Sequence, residues 1–193
     1  MNEFWIYFKL GLNHVLDLNG YDHILFLIVL IVAYTFKDWK RVFWLITVFT
    51  IGHTISLILS TYGVISVKAN LVELLVYITI VITALFNIFT AGKNNNKTKL
   101  VLLLVAALFF GLIHGLAFSN YFKVITSGIS SKLLPMLEFS LGVEAGQIIV
   151  VLVVLILSFI FQTIFRFSKR DWVMVISAIV LGIAIHIIDT NFI

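Results

Sequence analysis

Five histidines, His14, His23, His53, His114 and His186, carry the chemistry this 193-residue chain can offer, together with Asp22, Glu144 and Gln147. None of the histidines lies in the lysine- and arginine-rich segments, where a solvated imidazole would be at ease. Imidazole nitrogens joined by carboxylate oxygens suit Zn²⁺, Ni²⁺, Co²⁺, Cu(II) or Fe(II). Cysteine is absent, which removes thiolate metal sites, Cys nucleophiles and disulfides. Asp22 directly precedes His23, so the two cannot point the same way from a regular helix. The arrangement that fits is one of them as ligand and the other as its support. Gln147 follows Glu144 by three residues and shares its helical face, as Ser56 does with His53.

The elements that must position these groups are dictated by composition. The chain is 62% hydrophobic and 11% charged, with a mean hydropathy of +1.15. Soluble domains run nearer 45–50% apolar and about 25% charged. A chain this short cannot hide so much apolar surface in its own interior, so it belongs in a lipid bilayer. One proline, Pro135, and the lack of short alternating segments favour helices over a barrel. The expectation is an all-α integral membrane protein, one polytopic domain over residues 1–193. Six spans are placed near Asp22–Phe36, Val42–Ser60, Leu71–Thr90, Leu100–Asn120, Phe139–Phe165 and Trp172–Ile188. Residues 1–20, with the apolar stretch Phe4–Leu16, form an interfacial helix or a seventh span. They lack the basic start and cleavage site of a signal peptide and are read as mature chain.

The net charge of +4 does not indicate a nucleic-acid partner, because the basic residues sit in short loops between apolar segments. Lys37, Lys40, Arg41, Lys93, Lys97, Lys99, Arg166, Lys169 and Arg170 fall on one side, nine in all. Lys9, Lys68, Lys123 and Lys132 fall on the other. If Phe4–Leu16 does not cross, the positive-inside rule places both termini outside the cytoplasm. Glu73 and Glu138 read as interfacial charges, Asp17 and Asp38 as ordinary loop charges.

Depth follows from the helical rise of about 1.5 Å per residue, counted from the cytoplasmic charges. His53 then lies roughly 18 Å deep, His23 roughly 21 Å, His114 roughly 22 Å, His186 roughly 24 Å and Glu144 about 26–33 Å. Histidines from four spans reach nearly one level, in the outer half of the membrane. Ionisable groups there are costly and usually face a bundle interior or a polar cavity. The pattern points to one shared metal site opening outward, built from Asp22, His23, His53, His114 and Glu144, with His14, Gln147 and His186 as further candidates. The bland alternative is interhelical hydrogen bonding worth about 1 kcal/mol per group.

The same residues resemble a known family. Gly11-Leu-Asn-His14 with Gly20-Tyr-Asp22-His23, Phe49-Thr-Ile-Gly-His53-Thr-Ile-Ser56, Phe110-Gly-Leu-Ile-His114-Gly and Leu141-Gly-Val-Glu144-Ala-Gly-Gln147 are similar, in order, to motifs of the HupE/UreJ hydrogenase and urease accessory membrane proteins. Seven residues separate His14 from Asp22 where the family pattern usually has five. The resemblance implies a bacterial inner membrane, the lipid bilayer and a metal ion as partners, and nickel or cobalt uptake, with Asp22, His23, His53, His114 and Glu144 facing the metal. Three functions stay open on the residues. The first is a divalent-metal carrier. The second is an intramembrane zinc hydrolase with three histidines on the ion and Glu144 as general base, although no His-Glu-x-x-His motif is present. The third is an accessory subunit without chemistry. For a carrier, the spans below the histidines offer Thr47, Thr79, Thr83, Asn87 and Ser158 but no ionisable relay.

Overall fold

A computed structural model describes residues 3–18, 20–92, 98–129 and 131–193. Among them are seven α-helices and no strand. The helices are α1 (Glu3–Leu16), α2 (Asp22–Ile31), α3 (Trp39–Thr61), α4 (Ala69–Thr90), α5 (Thr98–Ile125), α6 (Leu133–Phe159) and α7 (Lys169–Phe192). Five stretches are long and apolar enough to cross a membrane: Phe36–Thr61, Ala69–Thr90, Leu100–Ile125, Leu133–Ile164 and Lys169–Phe192. Only 28–50% of each span's apolar window is buried within the protein. The remaining apolar surface faces outward from the bundle and suits acyl chains, as an integral membrane bundle requires.

Two glycine-mediated contacts bind the bundle together. Gly52 of α3 and Gly111 of α5 oppose each other. A methyl group on Gly52 would collide with the carbonyl oxygen of Leu108, and one on Gly111 with that of Phe49. Gly11 of α1 and Gly142 of α6 do the same, against the carbonyl oxygens of Phe139 and Phe8. Because these backbones touch, no larger residue fits at the crossings. Gly111 meets the Phe49 carbonyl oxygen and Gly115 that of His53, while Gly142 meets that of Phe8 and Gly146 that of Leu12, so α3 runs parallel to α5, and α1 parallel to α6.

The helices α1 and α2 answer the question left by the N-terminal residues. At about 1.5 Å per residue, their 14 and 10 residues cover roughly 21 Å and 15 Å, each short of a ~30 Å core. Asp22 and His23 share a cavity with Asn70 and Glu73 at the start of α4. Farther along, the Val29 carbonyl accepts from Asn87 Nδ2 near the end of α4 (2.6 Å). Hence α2 runs with α4, in the same sense as α1. Running in the same sense, the two together have about the length of one span, interrupted between Leu16 and Asp22.

Several span boundaries change, two of them with a visible local cause. The helix expected over Asp22–Phe36 stops at Ile31, because Thr35 and Asp38 cap the next element. Asp38 Oδ2 accepts from the Thr35 backbone N–H (3.2 Å) and from its hydroxyl (3.0 Å). The span expected to begin at Phe139 begins at Leu133. Pro135 stands in its first turn, where a missing N–H costs no helical bond. The end of the bundle carrying Lys37, Lys40, Arg41, Arg166, Lys169 and Arg170 is called the basic end below. Lys93 and Lys97, counted on the same side by the sequence reading, lie outside the described residues.

Candidate metal centre

Four elements deliver histidines to one place. The last turn of α1 brings His14, the first turn of α2 brings His23, and the middles of α3 and α5 bring His53 and His114. Ring centroids stand 4.5 Å apart for His14 and His23, 5.9 Å for His23 and His53, 6.1 Å for His14 and His53, and 5.2 Å for His23 and His114. One ring nitrogen from each of His14, His23 and His53 lies within 4.8 Å of the others. Metal–nitrogen bonds of about 2.0–2.1 Å put two ligands on one ion about 3–4 Å apart, so side-chain adjustments of about an ångström would close the site. His53 and His114 lie a few residues past the midpoints of their helices, on the side away from the basic end. That matches the common level expected from helical rise.

The hydrogen bonds leave the site short of partners. His14 Nε2, His23 Nε2, both nitrogens of His53 and His114 Nε2 are buried and bonded to nothing. Buried polar atoms are normally satisfied, so five orphaned imidazole nitrogens in one cluster need an explanation, and a ligand supplies it. Two rings are held by their other nitrogen. Asp22 Oδ1 accepts from His23 Nδ1 (3.2 Å), and the Phe110 carbonyl accepts from His114 Nδ1 (2.8 Å). An acceptor on Nδ1 fixes the tautomer that presents a bare Nε2 lone pair, the usual support for a ligating histidine. Of the adjacent pair, then, His23 is the candidate ligand and Asp22 orients it.

Aromatic rings close the remaining sides. Phe49 lies 5.0 Å from His114 and stacks on Phe26 (4.9 Å), while Phe139 lies 5.7 Å from His14 and stacks on Phe118 (4.7 Å). Phe26, Phe49 and Phe139 are fully buried. Phenylalanine rings thus form part of the wall of the site. On the side away from the basic end a cavity of about 490 Å³ reaches His14 and His23. Its lining includes Asp17, Asp22 and Glu73, a set of carboxylates that raises the local concentration of cations. Asp17 and Glu73, read as incidental charges in the sequence, thus stand on the approach to the histidines. Only the fold brings a loop residue and the N-terminal part of α4 to one mouth.

The other candidates lie elsewhere. Glu144 Oε1 accepts from Thr47 Oγ1 (2.6 Å) in a separate cleft between α3 and α6, lined also by Thr54, Leu137 and Ser140. Gln147 is fully buried and its Oε1 accepts from Thr50 Oγ1 (2.9 Å), with Nε2 unpartnered. His186 is exposed on α7 and joins no cluster among the described residues. Depth along a span does not ensure convergence: each residue turns a helix by about 100°, and Glu144 faces Thr47 rather than the histidines. No curated protein and no solved structure matches the chain. With four histidines gathered in a membrane bundle and the family model described as HupE / UreJ protein matching residues 1–190, the chain belongs to the HupE/UreJ family.

Proposed function

We propose that this protein binds a divalent transition-metal ion of the nickel or cobalt class at His14, His23 and His53, with His114 beside them, and carries it through the membrane. The observation that supports this most is the mutual approach of three ring nitrogens within 4.8 Å, all from residues whose imidazoles keep unpartnered buried atoms. Family membership favours nickel or cobalt, and the all-nitrogen donor set suits both ions. The acidic mouth supplies the approach, and neutral imidazoles release an ion more readily than thiolates would. Lipid is the surrounding solvent and a bacterial inner membrane the expected compartment. The zinc-hydrolase reading lacks its general base, since Glu144 faces Thr47 in another cleft.

The test is Ni²⁺ and Co²⁺ titration of the purified protein in detergent, wild type against His53→Ala, with uptake of the same ions into proteoliposomes. One ion per chain, lost in His53→Ala together with uptake, is expected. Wild-type protein that binds no ion above background would overturn the proposal.

A further inference from the structure

The two parallel glycine contacts share one register. In α3 and α5, Gly52 meets the Leu108 carbonyl oxygen and the Leu112 nitrogen, and Gly111 meets the Phe49 carbonyl oxygen and the His53 nitrogen. In α6 and α1, Gly142 meets the Phe8 carbonyl oxygen and the Leu12 nitrogen, and Gly11 meets the Phe139 carbonyl oxygen and the Val143 nitrogen. Adding 90 to each α3 number and subtracting 100 from each α5 number converts every atom of the first contact into its counterpart in the second. The side chains follow. Phe49-Thr-Ile-Gly52 maps onto Phe139-Ser-Leu-Gly142, and Gly111-Leu-Ile-His114 onto Gly11-Leu-Asn-His14. The Phe49–His114 approach of 5.0 Å maps onto the Phe139–His14 approach of 5.7 Å. Since α3 and α5 leave the basic end while α1 and α6 approach it, the two copies are inverted.

The rest of the chain fits the same symmetry. One copy is α1, α3 and α4, and the other is α5, α6 and α7, with α2 the extra piece in the first. Both α3–α6 and α4–α7 are then self-related antiparallel pairs. Thr47 with Glu144 and Thr54 with Ser140 show this for the first, and Tyr77 with Phe192 and Gly92 with Arg170 for the second. The cavity that reaches His14 and His23 lies where α4 begins and α7 ends, beside Asn70, Glu73 and Asn191. Its counterpart must lie where α4 ends and α7 begins. A cavity of about 510 Å³ is found there, beside Asn87, Thr90, Lys169 and Arg170. Between the two cavities α4 presents a buried polar file, Thr79, Thr83 and Asn87, and α7 presents Ser177, whose hydroxyl is fully buried and unpartnered.

We propose that the cavity at the basic end is the second entrance to the histidine site, and that the two inverted copies alternate, one cavity connecting to the site while the other is shut. This rests on the carrier reading above and names its exit. Inverted repeats with a site at their interface and a discontinuous helix beside it are a general solution to alternating access, and here the α1–α2 interruption lies at His14 and His23. In the arrangement described, the cavity opposite the basic end reaches His14 and His23, while the lining of the other begins at Asn87 of the α4 file and includes no histidine.

The chain has no cysteine, so single-cysteine variants can be labelled directly with a membrane-impermeant maleimide from either face of oriented vesicles. Asn70→Cys should label from one face and Thr90→Cys from the other. Thr83→Cys and, as a second probe, Ser177→Cys should label only from the Thr90 face. Added Ni²⁺ should change the rates at Asn70→Cys and Thr83→Cys in opposite directions, by threefold or more. Thr83→Cys and Ser177→Cys both inert from the Thr90 face, or rates that move together with Ni²⁺, would overturn the second entrance. If Ni²⁺ titration still shows binding in that case, the metal site survives and only the route fails. Labelling from the Thr90 face in protein that binds no metal would leave the entrance standing and remove the carrier.

Discussion

Asp22 Oδ1 lies 3.2 Å from Nδ1 of His23 and, at 2.9 Å, also accepts from the backbone N–H of that residue. One carboxylate thus holds both the first turn of α2 and the ring that turn presents. Partners of this kind typically change metal affinity by about 10–100-fold when removed. Asp22→Asn should weaken Ni²⁺ binding within that range, and His23→Ala should weaken it more. Equal affinity in wild type and Asp22→Asn, by isothermal titration, would show that the contact does not orient a ligand.

His14, His23 and His53 should behave as one unit. When several groups hold one ion, the first loss removes most of the binding and later losses add little. The double variant His23→Ala/His53→Ala should therefore bind Ni²⁺ hardly more weakly than either single variant. Additive free-energy losses would mean that the histidines serve separate structural contacts.

Much of this was legible along the chain. Helical rise is nearly constant, so counting residues from the charged loops located the level of His23, His53 and His114 before any tertiary information. Rotation about each helix was not legible, and that is why Glu144 reads as a neighbour yet turns toward Thr47. The grouping of Asp17 with Glu73 depends on how a loop folds over the start of α4, which no local pattern carries. The tandem of α1 and α2 was hidden for a related reason. Neither piece reaches span length, and only the backbone contact of Gly11 with α6 shows that the first enters the bundle.

The charge asymmetry predicts orientation. Ser168→Cys, between Arg166 and Lys169, should be labelled only from the cytoplasm. Val64→Cys, exposed between α3 and α4, should be labelled only from outside. Reversal of both would place the acidic cavity on the cytoplasmic side and make the inferred direction of transport outward.

The glycine crossings should be intolerant of any side chain. Gly52→Ala sets a methyl against the Leu108 carbonyl oxygen, and overpacking of this kind costs about 1–3 kcal/mol. Gly182→Ala in α7 meets nothing within 4 Å and replaces a poor helix former by a good one, so it should be neutral or stabilising. Thermal unfolding in one detergent compares the two. Equal midpoints would show that α3 and α5 can separate without loss.

Glu144 decides between depth and direction as the organiser of the site. If level in the membrane were sufficient, Glu144→Gln would remove a ligand and weaken metal binding. The structure points the carboxylate at the Thr47 hydroxyl, 2.6 Å away, in a cleft whose lining contains none of the five histidines. Glutamine keeps an oxygen that accepts the same bond, so Glu144→Gln should leave Ni²⁺ affinity within about twofold and barely change stability, a hydrogen bond in such bundles being worth about 0.6 kcal/mol on average. Glu144→Leu removes the acceptor altogether. It should lower the unfolding midpoint slightly while still leaving the metal in place. A tenfold or greater loss of Ni²⁺ affinity in Glu144→Gln, with stability intact, would bring this carboxylate back to the ion and require α6 to rotate toward the histidines when metal binds.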